Sequence, residues 1–162
     1  MEMSEIESKQ LILKHYKKSI QYIESFKRLS DDCWLTPIEE SKWSVCEIIG
    51  HLVPWDNFIL ENRLPYLLNL KQELESPNVK EMNHIAALES RNITKDEGIE
   101  KFRLIRIKLV NEITKIPATQ FNREINIGTS RLTITEYFKG LIEHDLHHFQ
   151  QIDEFLNKCN KY

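Results

Sequence analysis

Glycine and proline are scarce in this sequence, with four and five copies among 162 residues. Turn-forming clusters are correspondingly rare, which favours an all-helical domain. No apolar run reaches the roughly 18 residues of a membrane span, so no membrane partner is expected. The length suits one domain that can bury a real core, and we predict a single domain over residues 1–162.

Strong charge of one sign is also missing. Lys and Arg number 22 against 25 for Asp and Glu, which gives a net charge of −3. No nucleic-acid partner is expected, because a basic surface holds the phosphate backbone. The N-terminal segment MEMSEIESKQ lacks the basic and apolar regions of a signal peptide, so we expect a cytoplasmic protein.

Cysteine is sparse and unpatterned. Cys33, Cys46 and Cys159 are odd in number, far apart and not in C-x-x-C spacing. We interpret all three as free thiols of a reducing compartment, and not as a disulfide framework or a zinc knuckle.

Four long segments show apolar residues at helical spacing. Their predicted bounds are 5–29, 45–72, 95–116 and 134–158. Pro54 and Pro65 each remove a backbone donor from the second segment, so we expect it to bend or break. The starts carry capping boxes, in which Ser or Thr is followed three residues later by Glu: Ser4/Glu7, Ser44/Glu47, Thr94/Glu97 and Thr133/Glu136.

A link of some twenty residues joins the second and third helices, with a short extra helix predicted around 79–89. Such a link can cross the bundle, so these helices need not be antiparallel neighbours. Alternation around Gly128 predicts a small β-like turn within 123–134. The predicted fold class is all-α, a four-helix bundle with a long crossover connection between helices 2 and 3.

The fourth helix contains LIEHDLHHFQQI, with three histidines in five positions. At 100° per residue, His144 and His148 edge the apolar face, whereas His147 falls among charged residues. An i,i+4 pair of imidazoles can share one metal ion. The alternative is that these histidines are polar core residues that serve packing.

His51 on the second helix also edges a buried stripe. Gly50 leaves room for a close approach there, and Pro54 cannot donate to its carbonyl, which loosens the helix. His15 lies off the stripe of its helix and His84 lies in the link, so neither is a candidate. Three residues on the His51 side are predicted to line a cavity: Trp55, Phe58 and Asn62.

Two charged residues fall on apolar arcs, Arg106 on the third helix and Asp145 on the fourth. Buried charges need partners, and these two can pair with each other. Alternatively, Arg106 binds an anionic group of a substrate, and Asp145 orients a ligating histidine.

Three neutral imidazoles around one divalent ion leave coordination positions open, as in catalytic sites. Such an ion can polarise a carbonyl, lower the pKa of a bound water to about 7, or bind a thiolate.

Two segments carry a resemblance to a known family. KWSVCEIIGHL (42–52) and EHDLHHFQQI (143–152) resemble motifs of the DinB/YfiT-like superfamily, W-S-x-x-E-I-x-x-H-L and H-x-x-x-H followed by Gln-Ile. The spacing of the two segments and the position of Arg106 also fit, and the resemblance covers nearly the whole chain.

The resemblance implies a four-helix bundle with a crossover, often as a homodimer, whose metal ligands here are His51, His144 and His148. The metal it implies is zinc or nickel. The activity it implies is that of a thiol-dependent transferase or isomerase. Such an enzyme acts on a small-molecule substrate and uses a low-molecular-weight thiol, such as bacillithiol, as co-substrate.

Two other functions stay open. Many members of the family are labelled metal-dependent hydrolases without a known substrate, and HDLHH shares the register of H-E-x-x-H with Asp145 in the place of the general base. A non-catalytic stress-response or binding module that keeps its metal for stability is the third possibility. An open coordination site facing a cavity would favour an enzyme.

Overall fold

The computed structural model describes residues 3–70, 72–73 and 76–159, and helices dominate it. The helices are α1 (Glu5–Glu24), α2 (Asp31–Leu35), α3 (Val45–Phe58), α4 (Leu64–Leu67), α5 (Val79–Ser90), α6 (Lys95–Lys115) and α7 (Ile134–Cys159). A π-helical turn, Ile59–Arg63, joins α3 to α4, and 3-10 turns cover Ser25–Arg28 and Ala118–Gln120. Strands β1 (Glu124–Ile127) and β2 (Ser130–Thr133) pair antiparallel.

The predicted helix starts are confirmed, because all four capping boxes form. The hydroxyl oxygens of Ser4, Ser44 and Thr94 each accept from the backbone N–H of the Glu three residues on, and the backbone N–H of each capping residue donates to the carboxylate of that Glu. Thr133 and Glu136 make the same pair of bonds before α7. Each box pairs backbone groups that a helix start leaves free.

The predicted second helix is divided in the structure into α3, a π-helical turn and α4. Pro54 lies within α3 without ending it, and the change in hydrogen bonding comes later, in the π-helical turn. Pro65 lies in the first turn of α4, where a missing N–H costs little. The extra helix in the link is α5, the predicted β-like turn is the β1–β2 hairpin with Gly128 at φ +57°, and α2 was not predicted.

Two hydrophobic clusters show how the long helices run. The first cluster joins Ile12 of α1 with Leu64, Leu109 of α6 and Phe138 of α7. The second joins later residues of α1 and α7 but earlier residues of α3 and α6, among them Ile23, Ile152, Ile48 and Ile99. Hence α1 and α7 run one way and α3 and α6 the other. The predicted all-α four-helix bundle with a long crossover connection between helices 2 and 3 is confirmed, and the structure shows that the two helices it joins, α3 and α6, are parallel.

Gly50 allows α3 and α5 to pack closely. A Cβ at this position would lie 2.5 Å from Ser90 Cβ and 2.9 Å from its Oγ. The expected close approach therefore occurs, and it fixes the turn of α3 that carries His51.

The interpretation of the cysteines is wrong for two of the three. Cys33 of α2 and Cys159 at the end of α7 form a disulfide across 126 residues of sequence, whereas Cys46 is free and buried. Spacing along the chain gave no sign of the bond, because the fold alone brings α2 beside the end of α7. Within the described ranges, no helix combines the length and apolar character that a membrane crossing needs.

Candidate metal centre

Helices α3 and α7 bring three histidines together. His51 faces α7, where His144 and His148 lie one turn apart. The ring centroids of His51 lie 5.6 Å from His144 and 4.6 Å from His148, and those two are 4.7 Å apart. One ligand nitrogen from each ring lies within 4.8 Å of the other two. His147 is exposed and is not part of this group.

Two of the three rings are held by hydrogen bonds from the nitrogen that faces away. His51 Nδ1–H donates to the carbonyl of Ile48, and His148 Nδ1–H donates to Gln151 Oε1 at 3.0 Å. A proton on Nδ1 leaves the Nε2 lone pair free as a ligand, and such bonds orient metal-binding imidazoles. Both bonds follow from helical geometry, since each partner lies three residues away on the same helix.

Burial keeps the imidazoles neutral. Burial and the neighbouring His148 lower the pKa of His51 to about 3. Partial desolvation by the surrounding protein is also the main cause that lowers the pKa of His144, whose side chain stays partly exposed, and of His148. Neutral rings are the form that binds a metal ion, so the group can accept one at neutral pH without first losing protons.

The donor set fits a transition-metal ion. Zinc binds imidazole nitrogens at about 2.0–2.1 Å, so two ligands of one ion lie at most about 4 Å apart. The three ligand nitrogens lie within 4.8 Å of one another, which is close to that range. Three imidazoles without a carboxylate or thiolate suit zinc and nickel better than magnesium or calcium.

A cleft opens beside His148, which lines it, whereas His51 and His144 do not. It has a volume of about 240 Å³, and one of its walls is formed by His148 and Gln151 of α7. The opposite wall comes from the segment before α3, where the Trp43 ring lies 4.8 Å from that of His51. His144 is exposed, so the group is reachable from solvent. The cleft is lined by Ile38, Ser41, Lys42, Trp43, Ile48, His148 and Gln151.

The residues predicted to line a cavity lie away from this cleft. Trp55 donates from Nε1 to Asn83 Oδ1 at 2.9 Å, and the Phe58 ring packs against the Arg63 guanidinium. Asn62 lies in the π-helical turn. The sequence placed all three on one helix, whereas Asn62 lies beyond the end of α3. The cleft depends on the loop before α3, which periodicity does not describe.

Arg106 pairs with Asp145, as one of the two alternatives for these charges predicted. Its guanidinium donates to both oxygens of Asp145 at 2.5 and 3.0 Å and to Asp56 Oδ2 at 2.5 Å. It also contacts Ser19 Oγ at 3.2 Å and is 1% exposed. Ser19, Asp56, Arg106 and Asp145 come from the four long helices and separate the two hydrophobic clusters. We call these four residues the central polar layer.

This layer leaves Arg106 and Asp145 without the functional roles considered for them. Arg106 has no free face for a substrate anion, since its donors are taken by carboxylates and its flat faces by Tyr16 and Phe102. Burial raises the pKa of Asp145, but Arg106 and His15 outweigh it and hold the pKa below the ordinary range. Asp145 bonds to these two residues, so it neither orients a ligand through these bonds nor is free as a general base.

Sequence analysis overlooked His15. Its Nε2–H donates to Asp145 Oδ2 at 2.8 Å, and its ring stacks on Phe149 at 6.3 Å. His15 lies off the apolar stripe of α1, so helical periodicity does not predict its contact with Asp145. A polar residue at the edge of a stripe, opposite a buried Asp on another helix, was the available signal.

Comparison with known proteins agrees with this geometry. A family model described as the DinB superfamily matches residues 17–152. Among solved structures, the chain is similar to YfiT from Bacillus subtilis, with a TM-score of 0.73 and 14% sequence identity over 96% of this chain and 87% of that one. That protein is described as a probable metal-dependent hydrolase with an unusual four-helix bundle topology. Among curated proteins, none matches.

Proposed function

The chain belongs to the DinB superfamily, and we propose that it is a metal-dependent enzyme that transfers a low-molecular-weight thiol to a small electrophilic substrate. His51, His144 and His148 are the proposed ligands of one divalent ion, zinc or nickel. A bound ion of this kind lowers the pKa of a coordinated thiol or water.

The observation that carries the proposal is a partly exposed group of three neutral imidazoles, of which His148 also lines an open cleft. A structural zinc site is closed by four protein ligands, whereas a catalytic site keeps a position open. Here the exposed His144 and the cleft against His148 leave such a position accessible. This openness argues against a module that keeps its metal for stability alone.

The chemistry of the cleft favours a thiol over water as the nucleophile. Among the described residues that line the cleft, none is Asp or Glu. Asp145 is not a lining residue, and its carboxylate accepts hydrogen bonds from Arg106. A metal ion lowers the pKa of a coordinated thiol and of a coordinated water alike, so the two reactions are distinguished by the proton that the leaving group needs and not by a base. Hydrolysis requires a proton for the leaving group, and the cleft offers no carboxylic acid to supply it.

In this proposal the chain's own residues orient the metal ligands and bind the molecule that enters the cleft. Ile48 and Gln151 fix the rings of His51 and His148, and Trp43 covers the buried side of His51. Lys42 and Ser41 at the rim contact the ligand that enters.

Hydrolysis is the second candidate, because YfiT, whose fold is similar, is described as a probable metal-dependent hydrolase. We further expect a cytoplasmic homodimer, and light scattering on the purified protein measures the oligomeric state.

The test compares the two reactions on the same metal-loaded protein. Loss of free thiol is followed with a small thiol and an electrophile, and release of acid is followed with esters and amides in the absence of thiol. We expect catalysed thiol loss, abolished in His148→Ala and kept in the exposed His147→Ala control. Acid release without thiol consumption would instead identify a hydrolase.

A further inference from the structure

We infer that the cleft selects small anionic ligands and that Lys42 is its specificity-determining residue. The inference rests on the proposed function, since it concerns the ligand that would reach the three histidines. It names a charge class that neither the family match nor the similar structure specifies.

The loop that carries Lys42 has a fixed shape. Residues 36–44 form a closed turn in which Ile38 N–H donates to the Trp43 carbonyl at 3.0 Å and Lys42 N–H donates to the Glu39 carbonyl at 3.1 Å. An isolated antiparallel bridge between Pro37 and Ser44 closes its base. The backbone of Lys42 is therefore fixed at the cleft that His148 also lines.

The same loop holds a strained residue. Ser41 has φ +62°, a conformation that costs a residue with a Cβ on the order of 1 kcal/mol. Such strain persists where the surrounding structure fixes the backbone, and it is concentrated at binding sites. Ser41 and its neighbours Lys42 and Trp43 all line the cleft.

The charged side chain that lines the cleft among the described residues is positive. Lys42 is its only Lys or Arg among the described lining residues, and no Asp or Glu balances it there. The ammonium group of Lys42 forms no ion pair within the described part of the chain. A divalent ion on the histidines would add positive charge on the opposite side. A ligand with a donor atom at one end and an anionic group at the other fits both charges, and about 240 Å³ holds only a small molecule.

Two carboxylates lie just outside the cleft that contains Lys42 and His148. Glu39 and Glu154 line a smaller adjoining cleft of about 40 Å³, which shares Lys42 and ends at Lys158. Glu154 already accepts from Gln150 at 2.9 Å. These carboxylates weaken the field of Lys42 at long range, so Glu39→Gln is expected to strengthen anion selection.

The test uses three small thiols of different charge on the cobalt-loaded protein. These are 3-mercaptopropionate, 2-mercaptoethanol and cysteamine, and the readout is the sulfur-to-cobalt absorption band, which needs no turnover. We expect the anionic thiol to bind about fivefold more tightly than the neutral one, as an exposed ion pair allows. Cysteamine is expected to bind most weakly.

Variants of Lys42 decide the assignment. Lys42→Met should remove the preference, Lys42→Glu should reverse it, and Lys80→Met, an exposed lysine on α5 outside the cleft, should change nothing. Cobalt content should be equal in all four proteins. An anionic preference that survives in Lys42→Glu would overturn the role of Lys42. A cobalt-loaded wild type that binds none of the thiols would overturn the proposed thiol chemistry, and the inference with it.

Discussion

Two polar clusters, the central polar layer and the three histidines, connect α3 with α7. They differ in whether their polar atoms have hydrogen-bond partners among the described residues. The central polar layer contains Asp56 of α3 and Asp145 of α7, and Arg106 bonds to both. The three histidines lie nearby on the same helices, but their free nitrogens have no counterpart within the described residues. A saturated cluster of this kind stabilises the bundle, whereas an unsaturated one beside a cleft is prepared for a ligand.

The position of the layer supports its structural role. Each of its residues falls between the stretches of its helix that enter the two hydrophobic clusters. A buried charge is tolerated only when it is paired and hydrogen-bonded. Wrong helix register would leave a charge unpaired, so we expect the layer to favour one alignment of the four helices.

The largest expected effect comes from breaking the layer. Arg106→Met leaves two buried carboxylates without their cation and should lower the free energy of unfolding by about 3–5 kcal/mol. Urea unfolding measures it. The triple variant Asp56→Leu, Arg106→Met, Asp145→Leu removes every charge and should recover much of the loss. An unchanged midpoint in Arg106→Met would show that the layer does not stabilise the fold.

The disulfide stabilises the fold apart from both clusters. Cys159→Ser should lower the free energy of unfolding of the oxidised protein by about 2–4 kcal/mol, because the bond closes a long loop in the unfolded chain. The wild type with reductant should match it, and metal content should stay unchanged. If reductant does not move the wild-type midpoint, the bond contributes no stability.

His15 tests whether the two clusters are separate. Loss of its bond to Asp145 in His15→Ala should cost about 1–2 kcal/mol of stability while metal content stays at the wild-type level. His84→Ala, exposed on α5, is the control and should change neither. Loss of metal in His15→Ala would join the two clusters into one functional unit.

The smallest expected effect concerns the hydrogen bond that orients one proposed metal ligand, His148. Gln151→Leu removes the acceptor of His148 Nδ1–H and should weaken metal affinity about tenfold with little change in unfolding. The neighbouring Gln150→Leu, on the exposed side of α7, serves as the matched control. Competition with a chelator measures both, and equal affinities would mean that packing alone orients His148.

Local signals made much of this predictable. Capping boxes such as Ser44/Glu47 fix helix starts through bonds within four residues, and helical spacing alone placed His51, His144 and His148 beside buried stripes. Long-range features were harder to predict. The Cys33–Cys159 bond, the His15–Asp145 bond and the cleft under Trp43 each join parts of the chain that only the fold brings together.

The metal centre is tested most directly by the metal content of untagged protein purified without chelator. We expect about one zinc or nickel ion per chain in the wild type and in His147→Ala. We expect none in His51→Ala, His144→Ala or His148→Ala, with all four variants folded by circular dichroism. Wild-type protein that holds no metal, and takes up neither zinc nor nickel on titration, would contradict the proposed metal centre and return the three histidines to a packing role.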